Sequence, residues 1–499
     1  MPDTRAPRFF ELTMAESIAQ LIAPLQQIVG THAVLYAHED MTPYESDGLS
    51  AYRRTPGVVV LPQTEAEVIA ILKLCHAARV PVIARGAGTG LSGGALPSPD
   101  AVLLGLAKFN RILAVDALAR TARVQPGVRN LAISEAAAPH GLYYAPDPSS
   151  QIACSIGGNV AENSGGVHCL KYGLTVHNVL RLRAITIDGE VLDIGSAALD
   201  SAGYDLLALL HGSEGMLAVI TEVTVKLLPK PERAQVVLAA FDNVERAGAT
   251  VGALIAGGLL PSGLEMMDNP AIVAAEAFIH AGYPTDAAAI LLVEVDGTHE
   301  EVSNDVRRIH DILSLSGATE IRTAATDAER LKLWAGRKNA FPAVGRISPD
   351  YYCMDGTIPR RALPAVLHGI GQLSEHYGLR VANVFHAGDG NLHPLILYDA
   401  NIPGELEKTE AFGAKILELC VAAGGSITGE HGVGIEKIDQ MCVQFKSPEL
   451  ALFHAVKAVF DLHGLLNPGK AVPTLHRCAE LGAMHVHHGH LPHPELPRF

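Results

Sequence analysis

His386 and His393 flank a Gly388-Asp389-Gly390-Asn391 turn between two apolar, strand-like runs within residues 381–397. That turn is a strong hairpin signal. Facing residues of a hairpin hold their Cβ atoms about 4.5–5.5 Å apart, so two imidazoles placed there can share a cation. Glu430, in Gly429-Glu430-His431-Gly432-Val433-Gly434, offers a carboxylate as third ligand. Two histidines and a carboxylate leave coordination positions open, as a catalytic metal requires. Two core histidines bonded to backbone carbonyls are the alternative. His431 points away from its neighbour Glu430 and has the chemistry of a general base; a surface turn histidine is the competing reading. Arg337, in Trp334-Ala335-Gly336-Arg337-Lys338, can bind a carboxylate through two parallel hydrogen bonds, or simply be a charge on a helix surface.

Three glycine-rich segments precede this group. Residues 85–95 read RGAGTGLSGGA and follow a strand-like run. A G-x-G-x-x-G lies within them (Gly88, Gly90, Gly93), but Gly94, Pro97 and Pro99 follow where a dinucleotide-binding loop would open a helix. Consecutive Gly and Ser still expose backbone N–H groups to a pyrophosphate without Cβ obstruction. The segments 155–166 (SIGGNVAENSGG, preceded by Pro146-Asp147-Pro148) and 212–215 (GSEG) add further loops. Several glycine loops point to one large ligand wrapped by all of them, and FAD has that size. Glycines required at bulges or barrel corners are the structural alternative.

These residues need elements to hold them. Residues 57–61 form a β-branched run, Thr64 and Glu67 make a capping box, and Val68, Ile71, Leu72 and Cys75 give the following helix one apolar face. Residues 80–84 are the next strand, so a β–α–β unit feeds the first glycine loop. Residues 14–29 read as a helix. Strands are expected at 180–187 and 190–194 around the Asp188-Gly189 turn, and at 216–228. Pro229 and Pro231 then mark the main boundary. Beyond it, strands (VVLAAF, AILLVEV) alternate with helices at 243–255 and 300–315. The expected organisation is an N-terminal segment (1–55), a cofactor domain (56–231), a substrate domain (232–460) and a C-terminal segment (461–499) ending in a solvated His-rich tail.

Composition narrows the function. Apolar residues make up 48% of 499, enough for sizeable cores. A net charge of −15 with 5% aromatics argues against nucleic acid as partner. No apolar run suits a membrane span and no signal peptide is visible. Seven scattered cysteines, none spaced C-x-x-C, fit a reducing compartment and provide no iron–sulfur ligand set. Cytoplasmic placement is expected.

Taken together, RGAGTGLSGGA, SIGGNVAENSGG, GSEGMLAVITEVTVKLLPKP, HAGDGNLHP and GEHGVG resemble the FAD-linked oxidases of the vanillyl-alcohol-oxidase type, over nearly the whole chain. The resemblance implies an α+β fold: a two-subdomain FAD-binding domain plus a substrate domain with an antiparallel sheet, to which residues beyond about 460 do not belong. It implies FAD contacts at Arg85, Gly86, Ala87, Gly88, Thr89, Gly90, Leu91, Ser92, Pro146, Asp147, Ser150, Gly157, Gly158, Asn159, Ala161, Asn163, Gly165, Glu214, Gly215 and Ile220. The loop 85–95 has no His or Cys to attach the flavin, so noncovalent FAD is expected. Related D-2-hydroxy acid dehydrogenases imply a divalent metal (Zn, Mn or Fe) on His386, His393 and Glu430, His431 as base, and Arg337 on the substrate carboxylate. No Lys stands before Asp355, where some relatives carry one, so a dicarboxylate substrate is not expected. The implied activity is oxidation of glycolate to glyoxylate, and of D-lactate to pyruvate; a dedicated D-lactate dehydrogenase, or a flavin-free metal-dependent hydrolase using His386, His393 and Glu430, is the alternative. Electrons would leave through a second FAD-type subunit and an iron–sulfur subunit, with peripheral membrane association through those partners.

Overall fold

The computed structural model describes residues 14–198 and 203–474. The predicted helix spans Met14–Val29. The Thr64–Glu67 capping box is formed and starts the helix Glu65–Ala78. Its buried face of Val68, Ile71, Leu72 and Cys75 belongs to the same core as strand residues Val58, Val60, Val82, Val102 and Leu104. Strands Val58–Val60, Val102–Gly105 and Val82–Arg85 pair in parallel, and Val34–Leu35 adds an antiparallel edge. Val82–Arg85 runs straight into the first glycine loop. No helix opens there, and the chain reaches Val102–Gly105 through turns.

A five-stranded antiparallel sheet follows, ordered Ile112–Asp116, Thr121–Val124, Val219–Lys226, Val179–Ile185, Val191–Gly195. The second glycine segment differs from the loop expected. Ile156–Glu162 is a short helix: Ser155 caps it, accepting from Gly158 N at 3.4 Å, and Asn163 ends it in the left-handed conformation. Ile156 and Val160 are buried. A cap, an Asn terminator and two buried apolar residues outweigh the roughly 1 kcal/mol that each helical glycine costs.

The third sheet has seven strands, all antiparallel: Glu320–Thr323, Arg233–Phe241, Ala289–Gly297, Gly263–Asp268, Val381–His386, Asn391–Tyr398 and Asp350–Cys353. Alternate residues of one strand face opposite cores. Val237, Ala239 and Phe241 meet helices Val244–Ala256, His299–Leu315, Leu363–Tyr377 and Glu405–Ala422. Val236, Leu238 and Ala240 share a second core with helices Asn269–Ile279 and Asp327–Lys338. Burial on both faces explains why these strands read as unbroken apolar runs.

The return to the N-terminal half begins before residue 460. Helix Ser447–Phe460 lays Val456 and Phe460 on the core of the five-stranded sheet, and Lys457 Nζ donates to Met216 O at 2.5 Å. Leu466 then bridges to Val82. Cys75, Cys154, Cys169, Cys353 and Cys420 are free and buried. The His-rich tail lies outside the described residues. Among the described residues no helix is long and apolar enough to cross a membrane.

Candidate active site

One cavity joins the halves of the molecule. Its wall on one side is formed by Arg85, Gly86, Ala87, Gly88, Thr89, Gly90, Leu91, Ser150, Gly157, Gly158, Asn159, Ala161, Glu214, Gly215 and Ile220. Facing them are Arg337, Phe341, His393, Glu430 and His431. Five predicted contacts do not line it. Asn163 turns its Oδ1 to Val176 N at 3.0 Å. Ser92 lies beneath the loop, its carbonyl accepting from Ile435 N at 3.0 Å. Asp147 faces a neighbouring cleft and pairs with His168 at 3.0 Å. Pro146 is buried beside it. Gly165 makes room for Glu430, whose Oε2 would stand 2.6 Å from a Cβ there.

The glycine wall suits a large flat ligand because side chains are missing where they would collide. A Cβ on Gly86 would stand 2.2 Å from Ser155 Oγ, and Gly88 has φ +71°, a conformation that L side chains rarely adopt. Arg85, Glu162, Glu214 and the Cys154 thiol are the ionisable groups of this wall, which is otherwise mostly backbone and small residues.

The opposite wall is dense in charge. Register pairs His386 with Asn391 and His393 with Val384, so the two histidines are diagonal neighbours rather than directly opposed. Their rings are still 5.0 Å apart. Glu430 Oε1 is 2.8 Å from His393 Nε2 and 3.3 Å from His386 Nε2. His386 Nδ1 is held by Glu265 at 2.8 Å, which turns Nε2 toward Glu430. His386 itself stands behind His393, off the cavity surface. Burial raises the Glu430 pKa, but His386 and His393 overcome it and hold the carboxylate well below its ordinary range. This donor set fits a divalent cation. Cys353, His393 and His431 form a second trio within ligand reach. Burial and the charge of Asp355 hold the Cys353 thiol protonated, which makes that trio the poorer site.

The Glu430–Gly434 loop is held from both halves. Asp355 accepts from Glu430 N at 3.2 Å and from His431 N at 2.9 Å. Glu214 accepts from Val433 N at 2.7 Å and Gly434 N at 2.8 Å. Lys437 Nζ donates to Gly432 O at 2.8 Å. His431 stacks on His393 with ring centroids 5.0 Å apart, and its Nδ1 is buried without a hydrogen-bond partner. Burial, only partly offset by Asp355, pushes its pKa down to about 4, so the ring is neutral. Arg337 is not a surface charge. It is 1% exposed in the last turn of Asp327–Lys338, with Nη2 2.6 Å from Glu265 Oε2.

Sequence reasoning missed Glu265 and the structural role of Asp355. Each is an acidic residue in or beside an otherwise apolar strand, GLEMMD and YYCMD, and that mismatch was the available signal.

Residues 56–195 match the FAD binding domain family, and residues 230–471 match the C-terminal domain of FAD linked oxidases. The chain belongs to the FAD-linked oxidases of the vanillyl-alcohol-oxidase type. It is 68% identical to the glycolate oxidase subunit GlcD of Escherichia coli over 96% of each chain. It is 33% identical to the D-lactate dehydrogenase of Anaerostipes hadrus, over 90% of this chain and 95% of that one. Among solved structures, p-cresol methylhydroxylase superposes with a TM-score of 0.78 at 17% identity, covering 92% of this chain and 98% of that one, a likeness of fold.

Proposed function

We propose that the chain is an FAD-dependent 2-hydroxy acid dehydrogenase that oxidises glycolate to glyoxylate, and D-lactate to pyruvate. The observation that carries this reading is that Arg337, His393, Glu430 and His431 line the same cavity as the glycine cradle. FAD, when bound, supplies the acceptor for the two electrons leaving Cα. A divalent cation held by His386, His393 and Glu430 would supply Lewis acidity toward the hydroxyl oxygen.

The protein's own residues do the rest. Arg337, pinned along one edge by Glu265, presents its guanidinium to the substrate carboxylate. His431, a neutral imidazole lining the cavity, takes the hydroxyl proton. Asp355 and Glu214 fix the backbone that carries it. Asp355 follows Met354 rather than Lys, so Arg337 is the cation assigned to the substrate and a monocarboxylate fits.

FAD is held noncovalently. Cys154, which lines the cavity, is a buried thiol engaged with Asn159, and burial raises its pKa. As its relative's name indicates for that protein, the chain acts as a subunit. Electrons pass to a second FAD-type subunit and to an iron–sulfur subunit, because this chain lacks a cysteine set for a cluster. These partners would hold it at the inner face of the cytoplasmic membrane.

The test is a panel of 2-hydroxy acids with a dye acceptor, with and without added Zn²⁺ or Mn²⁺, followed by acid precipitation. Turnover of glycolate and D-lactate and yellow supernatant are expected. A yellow protein whose flavin is reduced by no 2-hydroxy acid would overturn the substrate assignment.

A further inference from the structure

Glu265 lies in the middle of Gly263–Asp268, a strand buried along its whole length. An apolar side chain would pack there without the cost of burying a charge. Its carboxylate instead serves two groups from different elements, with His386 Nδ1 within 3.0 Å of both oxygens and Arg337 at one of them. Oε1 accepts from His386 Nδ1 at 2.8 Å, across the pairing of its own strand with Val381–His386. Oε2 faces Arg337 Nη2 at 2.6 Å, from helix Asp327–Lys338. Glu265 does not line the cavity; Arg337 does, and His386 reaches it through Glu430 and His393.

We propose that Glu265 is a positioning residue that locks the carboxylate-binding arginine to the metal-binding histidine, so that substrate affinity and metal affinity depend on one buried carboxylate. The inference rests on the function proposed above. Two consequences follow from the geometry. Accepting the Nδ1 proton fixes the His386 tautomer, so the Nε2 lone pair is directed at the Glu430 side. The ion pair at Nη2 holds the guanidinium against Glu265, while Nε and Nη2 make no hydrogen bond in the buried site. Because the two oxygens belong to one rigid group, the spacing between cation site and carboxylate site is set by Glu265. That spacing must match the distance between the hydroxyl and carboxylate of a 2-hydroxy acid.

The experiment uses FAD-loaded protein carrying Glu265→Gln or Glu265→Asp. Gln keeps the length but loses the charge; Asp keeps the charge but is one methylene too short to serve both partners. Binding of Mn²⁺ alone is measured by calorimetry. KM and kcat for glycolate are then measured at saturating Mn²⁺. Metal affinity should fall about 10–100-fold in both variants. KM should rise by on the order of 10-fold and stay raised at saturating metal, with a smaller change in kcat. If Gln leaves Arg337 unpaired and the protein fails to load flavin, the Asp variant carries the test. Unchanged metal affinity and KM overturn the inference. So does a KM fully restored by excess metal, since Glu265 would then serve His386 alone. A wild-type protein that binds no Mn²⁺ or Zn²⁺ overturns the metal centre and this inference together. Metal binding by wild type with no response to Glu265 overturns the inference alone.

Discussion

Around Arg85–Gly94 the cavity wall is mostly main chain and small residues, shaped by glycines such as Gly86 and Gly88. Across from it, the wall is built from ionisable side chains: Arg337, His393, Glu430 and His431, backed by His386, Glu265 and Asp355. The first wall can accept a large ligand through backbone N–H groups and close approach. The second works only if each charge has its partner, because unpaired buried charges are costly. On the proposed function, holding the cofactor and moving the proton fall to opposite walls, and each should be breakable without the other.

The largest expected effect falls on the charged wall. His431→Asn should lower kcat by about 10²–10⁴-fold while flavin content is unchanged. Stopped-flow flavin reduction by glycolate, without oxygen, measures it; reduction at near wild-type rate would take the base role from His431. His386→Ala or His393→Ala should weaken metal binding by more than the roughly 10–100-fold typical of an outer-shell change, and leave the visible spectrum intact. Metal analysis of the yellow protein decides, and an active double variant without metal would sink the site.

Arg337→Lys comes next. Replacing a planar fork by a point charge should raise KM for every 2-hydroxy acid by about 10–100-fold, with a smaller loss in kcat. An unchanged KM would remove Arg337 as the anchor. Gly88→Ala attacks the other wall. Its Cβ would stand 2.2 Å from the Arg85 guanidinium at a φ of +71°. The left-handed conformation alone costs about 1–2 kcal/mol, so FAD should bind about 5–30-fold more weakly while Mn²⁺ affinity holds. Equal loss of both ligands would show that the walls are not separable.

The smallest effect concerns the strap between the halves. His168 contacts Asp147 on the flavin side at 3.0 Å and Glu294 on the seven-stranded sheet at 3.1 Å. Burial lowers its pKa, but the two carboxylates overcome this and raise it to about 10. A histidine with a raised folded-state pKa contributes stability that is complete below about 6.5 and lost as pH rises toward 10. His168→Gln should therefore lower the melting temperature at pH 6 by several degrees, corresponding to about 1–2 kcal/mol, and by less at pH 10. A pH-independent difference would show that His168 is neutral in the fold.

Much of the scaffold was legible in the chain. The Thr64 capping box, the apolar face of Glu65–Ala78 and the hairpin around Gly388–Asn391 rest on spacings of a few residues, and the fold realises each. The helix at Ile156–Glu162 was not legible, because its stability comes from burying Ile156 and Val160 against a sheet whose strands lie up to some 70 residues further on.

At the site itself the division is the same. Residue types determined which groups could ligate, donate or accept: His386, His393, Glu430, His431 and Arg337 were readable from chemistry and motif. Only the tertiary structure decided what each one faces. It placed Asn163 and Asp147 away from the cavity, set His386 diagonal to His393, buried Arg337, and brought Glu265 between Arg337 and His386. Local pattern is set by neighbours a few residues apart, so sequence carries it directly. Pairing between charges some 70–120 residues apart depends on sheet register and helix docking, which are decided by the summed burial of the two cores enclosing the seven-stranded sheet.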